Sequence, residues 1–146
     1  MQSKIIVKNT SETKDFALKI AKTLKSGDIL CLAGDLGTGK TFIAKEIAKY
    51  FKVDDEVISP TFNILKIYNT DNAIIKKILH FDLYRIKNID ELINIGFEDY
   101  IYSENSVIII EWPEVSYDLL PKNTINIMIK YDKNDKKKRT IIYEKR

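Results

Sequence analysis

The sequence predicts a single α/β domain whose mixed, mostly buried β-sheet carries helices on both faces. Three observations predict it. Ile29-Leu30-Cys31-Leu32-Ala33 and Val107-Ile108-Ile109-Ile110 are unbroken apolar runs, the pattern of strands buried on both faces. Between such runs stand segments whose apolar residues recur at helical spacing. The 146 residues suffice for one domain spanning 1–146, burying roughly 70% of the unfolded surface, and are too few for a two-domain enzyme.

The elements follow in order. Lys4-Ile5-Ile6-Val7-Lys8 suggests a short first strand. Thr10, Ser11 and Thr13 offer N-cap hydroxyls to a helix carrying Phe16, Ala17, Ile20, Ala21 and Leu24, which Gly27-Asp28 ends. The buried run from Ile29 leads into a Gly-rich turn and a helix with Phe42, Ile43, Ile47, Ala48 and Phe51 on one side. Residues 62–69 and 73–83 are rich in β-formers, with Asn69 to Asn72 as the turn between them. Residues 89–102 suggest short helical pieces around Gly96. The run Val107–Ile110 predicts a strand, Leu119-Leu120-Pro121 a loop, and 124–131 and 139–144 two closing strands.

Composition excludes several classes. A hydrophobic content of 45% argues against a largely disordered chain. No apolar run approaches the ~20 residues of a membrane span, and the N-terminus predicts no signal peptide. One Cys and one His exclude a Cys/His zinc site within this chain. Cys31, lacking an intramolecular partner, suits a reducing cytoplasm and a packing role. A net charge of +3 is too balanced to declare nucleic-acid binding.

The strongest signal is Gly34-Asp35-Leu36-Gly37-Thr38-Gly39-Lys40-Thr41, which matches G-x-x-x-x-G-K-[ST] between a buried strand and an amphipathic helix. Glycines let the backbone wrap so that successive N–H groups converge on phosphate oxygens, and the helix adds its positive end. Lys40 can reach the β- and γ-phosphates, and the Thr41 hydroxyl can ligate Mg²⁺. Such a loop needs an acid at a neighbouring strand end. Asp82 follows Ile78-Leu79-His80-Phe81, and Glu111 follows the cleaner run Val107–Ile110. One would support Mg²⁺ and Lys40, and the other would position the attacking water; the residue pattern leaves the assignment open. Lys40, Asp82 and Glu111 are thus the candidate catalytic residues.

Five blocks in this order resemble the TsaE family, the ATPase component of bacterial threonylcarbamoyladenosine tRNA modification. They are the phosphate loop, Ser59-Pro60-Thr61-Phe62, His80-Phe81-Asp82-Leu83-Tyr84-Arg85, Gly96-Phe97-Glu98-Asp99-Tyr100 and Ile110-Glu111-Trp112-Pro113-Glu114. The resemblance implies a P-loop NTPase-like ATPase domain that binds Mg²⁺-ATP, yields ADP, and hydrolyses weakly alone. It also implies TsaB and TsaD as partners, with ATP use resetting their complex between rounds of tRNA modification. Phosphate contacts would fall on Gly37, Thr38, Gly39, Lys40 and Thr41, and Mg²⁺ on Thr41 and Glu111. Asp82 would be the acid of the neighbouring strand. Thr61, in Ser59-Pro60-Thr61, would belong to a switch-like segment sensing the terminal phosphate. Thr10 is a further nucleotide contact by position in the family pattern.

Two substitutions depart from that pattern. Thr38 stands where Ala or Ser is usual, and Phe42 where a hydroxyl residue is common. Both keep their backbone N–H, so Phe42 stays among the nucleotide contacts without a hydroxyl for the α-phosphate. Lys136-Lys137-Lys138-Arg139 replaces a Gly-Arg pair, which leaves the adenine contacts unassigned. On residue chemistry alone, Trp112 suits either packing or a wall of the nucleotide site, and His80 either a hydrogen-bonded structural role or a site role. The competing functions are a small-molecule kinase, for which no acceptor site is apparent, and a nucleotide-gated interaction module without essential hydrolysis.

Overall fold

The computed structural model describes residues 2–53 and 63–145. Its elements are β1 (Gln2–Val7), α1 (Thr10–Thr23), β2 (Ile29–Gly34), α2 (Lys40–Tyr50), β3 (Leu65–Asn69), β4 (Lys77–Asp82), α3 (Ile89–Asn94), α4 (Phe97–Ile101), β5 (Ser106–Glu111), β6 (Ile125–Tyr131) and β7 (Arg139–Lys145), with a 3-10 helix at Pro113–Leu119 before β6. The seven strands form one mixed sheet in the order β1-β7-β6-β2-β5-β4-β3. The central four, β6, β2, β5 and β4, run parallel, while β3, β7 and β1 pair antiparallel at the flanks. The parallel strands therefore end along one edge, the place where open α/β sheets gather their sites.

Strand alternation divides the core in two. Leu30, Leu32, Val107 and Ile109 face α1 and α2, together with Phe16, Ile20, Ile43 and Ile47. Ile29, Cys31, Ile108 and Ile110 face the opposite way, onto Leu92, Phe97 and Ile101 of α3 and α4. Helices on both faces explain why β2 and β5 carry no polar alternation. Burial, with a smaller contribution from the charge of Glu114, pushes the Cys31 thiol up to about 12, so it packs rather than reacts.

Local chemistry moves several boundaries from their expected places. The cap of α1 is Asn9, not the hydroxyls after it. Its side chain accepts from the Glu12 N–H at 2.9 Å, and the Glu12 carboxylate accepts from the Lys8 N–H at 2.8 Å. The expected strand at 73–83 begins only at Lys77, because the Asn72 side chain accepts from the N–H groups of Ile74 and Ile75, both at 2.9 Å. That local turn withholds both donors from the ladder. The chain after Trp112 winds into the 3-10 helix, where Ser116 donates to the Pro113 carbonyl at 2.6 Å. The start of the stretch expected from residue 62 lies partly outside the described residues. Among the described residues no helix is long and apolar enough to cross a membrane.

At 6 and 5 residues, α3 and α4 are too short to hold alone. Gly96, at φ 79°, turns one into the other, and Phe97 then packs its ring against Phe81 of β4 at 5.0 Å. Their stability is therefore tertiary. Truncating the fully buried Phe97 to Ala is expected to cost about 3–5 kcal/mol in chemical denaturation.

Candidate functional site

The turn from β2 to α2 depends on glycine at three points. Gly34, Gly37 and Gly39 have φ of 144°, 77° and 116°, a region costly for side-chain-bearing residues. A Cβ on Gly34 would strike the Ile129 carbonyl, and one on Gly37 would lie 2.7 Å from the Tyr131 hydroxyl. The Tyr131 hydroxyl donates to the Leu36 carbonyl, so β6 braces the loop from outside. Thr38 folds its hydroxyl back onto the Asp35 carbonyl at 2.9 Å and is buried. Gly39 caps α2, whose first N–H groups open towards the loop. Lys40 Nζ donates to the Gly34 and Asp35 carbonyls at 2.5 and 2.9 Å, and lies 4.1 Å from the centroid of the Trp112 ring.

The two acids arrive by strand register. Asp82 and Glu111 are paired residues at the ends of β4 and β5, and Glu111 lies opposite Leu32 of β2. Glu111 is buried, with each carboxylate oxygen engaged: Oε1 accepts from the Thr41 hydroxyl at 2.8 Å, and Oε2 lies 2.5 Å from His80 Nε2. Asp82 Oδ1 accepts the Tyr84 N–H at 3.0 Å. Trp112 adopts the left-handed conformation at φ 55°, unusual for a residue with a large side chain. That turn carries its indole over Lys40 and against Tyr84, with centroids 4.9 Å apart. A cleft of about 390 Å³ results, lined by the loop, Lys40, Thr41, Asp82, Glu111 and Trp112 among others.

Burial pushes the Lys40 ammonium below its ordinary range, against the opposing charges of Glu111, Glu114, Asp82 and Asp35. The site thus holds a desolvated cation beside the glycine turn and the N-terminal end of α2. Its oxygen donors, the Thr41 hydroxyl and the Glu111 carboxylate, suit a hard cation such as Mg²⁺. Among the described residues no cluster of three His, Cys, Asp or Glu could hold a metal by itself.

A second cleft of about 390 Å³ adjoins the first across Gly37, Gly39 and Phe42, and its far wall includes Thr10, Lys136, Lys137 and Arg139. Arg139 lies 4.5 Å from the Tyr131 ring centroid and donates to the carbonyls of Lys136 and Lys138 at 2.6 and 2.9 Å. Lys40, Thr41, Asp82 and Glu111 therefore share one cleft, Thr10 lies across the second, and Gly37, Gly39 and Phe42 border both. Thr61 lies outside the described residues. The bond between His80 and Glu111 and the brace from Tyr131 escaped sequence reasoning, because each depends on strand register rather than on a local motif.

A family model described as threonylcarbamoyl adenosine biosynthesis protein TsaE matches residues 7–141. The tRNA threonylcarbamoyladenosine biosynthesis protein TsaE of Rickettsia typhi is 44% identical over 127 residues, covering 86% of this chain and 85% of its own. The protein of that name from Bacillus subtilis is 36% identical over 132 residues, covering 90% and 80%. The crystal structure of Bacillus subtilis YdiB has a TM-score of 0.76 and 32% sequence identity, and covers 98% of this chain and 84% of that one. The shared fold is the P-loop NTPase-like α/β fold.

Two outcomes follow from the geometry. Gly37→Ala, forced into the left-handed region against Tyr131, is expected to lose about 1–2 kcal/mol of unfolding free energy, measurable in urea. Because the Lys40 pKa is lowered, its positive charge disappears as pH rises through a value below the ordinary 10.5. Calorimetric titration with pyrophosphate should therefore show affinity falling on that alkaline limb, by up to about tenfold per pH unit.

Proposed function

The chain belongs to the TsaE family of tRNA threonylcarbamoyladenosine biosynthesis, and from that premise we propose that it is a Mg²⁺-dependent ATPase that serves this modification with TsaB and TsaD in the cytoplasm. The observation that carries the proposal is the 2.8 Å bond from the Thr41 hydroxyl to Glu111 beside the glycine loop. It joins two hard-oxygen donors at the mouth of a phosphate cradle, as a metal–nucleotide site requires.

In this reading the N–H groups from Gly37 to Thr41 hold the phosphate chain. Lys40 exchanges the Gly34 and Asp35 carbonyls for β- and γ-phosphate oxygens. Thr41 and Glu111 would hold Mg²⁺, which would supply Lewis-acid stabilisation of the charge on the γ-phosphoryl group. With Glu111 given to the metal, Asp82, its register partner at the end of β4, is assigned to orient the attacking water and take its proton. A water oxygen–γ-phosphorus bond forms as the bond to the β-phosphate oxygen breaks, giving ADP and phosphate. The second cleft, with Thr10 and Arg139 on its walls, suits the nucleoside end. Thr61 would sense the terminal phosphate, and partner docking would complete a site that is slow alone. ATP use would reset the modifying complex, a role that does not require this chain to touch tRNA.

The test is Mg²⁺-dependent phosphate release by the purified chain, alone and with TsaB and TsaD. Weak turnover should rise with the partners. Lys40→Ala should lose nucleotide affinity, whereas Asp82→Ala should keep it and lose about 10²- to 10⁴-fold in turnover. ATP binding with no turnover under either condition would contradict the ATPase reading and favour a nucleotide-gated interaction module.

A further inference from the structure

β4 is apolar at Ile78, Leu79 and Phe81, yet it carries the fully buried His80 between them. Burying an imidazole there sacrifices hydration that an aliphatic residue would not, so its hydrogen bond matters. That bond is the 2.5 Å contact from Nε2 to Glu111 Oε2. A carboxylate can only accept, so Nε2 carries the hydrogen. Nδ1 is buried and has no hydrogen-bond partner among the described residues, so nothing there calls for a hydrogen on it. One tautomer is therefore selected by geometry.

We propose that His80 is a positioning residue for the metal-binding carboxylate, its Nε2–H pinning one Glu111 oxygen so that the other stays aimed at Thr41 and the cation site. The role rests on the nucleotide reading above. His80 and Asp82 are two positions apart on β4, so the strand presents both on the side towards Glu111 and α2. A carboxylate free to rotate would offer Mg²⁺ its oxygen only part of the time. Mg²⁺ requires near-ideal octahedral geometry, so that freedom weakens the site. Hydrogen bonds behind a ligand carboxylate restrict its rotation in this way.

The test uses ADP and Mg²⁺ as probes. Calorimetry on the wild type, His80→Leu and His80→Gln measures ADP affinity in EDTA and the Mg²⁺ affinity of the ADP complex. His80→Leu should weaken Mg²⁺ about 10- to 100-fold while leaving metal-free ADP binding within about twofold, and His80→Gln, which keeps a donor, should recover most of the loss. A purely structural role would weaken both affinities together and would overturn the proposal. Folded His80→Leu with wild-type Mg²⁺ affinity would overturn it while leaving the nucleotide site intact. Failure of the wild type to bind ADP with Mg²⁺ would bring down the nucleotide reading and this role with it. Should His80→Leu not fold, the ¹⁵N imidazole spectrum of the nucleotide-free wild type still decides: the Nε2–H tautomer supports the role, and the Nδ1–H tautomer overturns it.

Discussion

The parallel pairing of β2 with β5, and of β5 with β4, is the constraint on which the site depends. It sets Glu111 beside the end of β2 and opposite Asp82, so residues 70 positions apart in sequence meet at 2.8 Å when α2 rises from the loop. A buried carboxylate is tolerable only with partners, and Glu111 has the Thr41 hydroxyl and the His80 ring, with the Lys40 charge nearby. A slip of one residue in β5 would turn this side chain to the opposite face, onto α3 and α4. The same register buries Ile109 and Ile110 on opposite faces, so core packing and site assembly are satisfied by one arrangement.

Backbone strain collects around this point. Gly37, Gly39 and Trp112 occupy the left-handed region within one cleft, and the surrounding structure holds them there. Tyr131 bonds the loop from β6, and Trp112 N–H donates to the Leu32 carbonyl at 3.3 Å, tying the strained residue to β2. Lys40 is meanwhile satisfied by two carbonyls of its own loop. An anionic ligand must compete with those bonds, but it also restores an opposite charge to a desolvated ammonium. The loop is thus preorganised in backbone, while its lysine has bonds to exchange.

Much of this was legible in the sequence, for physical reasons. The runs at Ile29–Ala33 and Val107–Ile110 are apolar on both faces because helices cover both, and that pattern needs no partner to be recognised. That Gly37, Gly39, Lys40 and Thr41 meet at one turn is legible because the motif is local, and that Glu111 closes β5 because a carboxylate ending an apolar run is conspicuous. What depended on pairing was not legible. Strand order, the bond from His80 to Glu111 and the brace from Tyr131 each require knowing which strands adjoin. Competition between side chain and backbone hid others: Asn9 displaced the expected hydroxyl caps, and Asn72 delayed β4. The strained turn at Trp112 was hidden too, since a left-handed tryptophan has no local sequence signature.

The central claim is that Thr41 and Glu111 form the metal end of a phosphate site cradled by residues 37–41. A crystal structure with Mg²⁺ and a non-hydrolysable ATP analogue tests it most directly. The account predicts Mg²⁺ against Thr41 and Glu111, directly or through water, with Lys40 Nζ moved from the Gly34 and Asp35 carbonyls onto β- and γ-phosphate oxygens. Phosphates bound elsewhere, or bound in the loop with Lys40 still on those carbonyls and Glu111 remote from the metal, would contradict it.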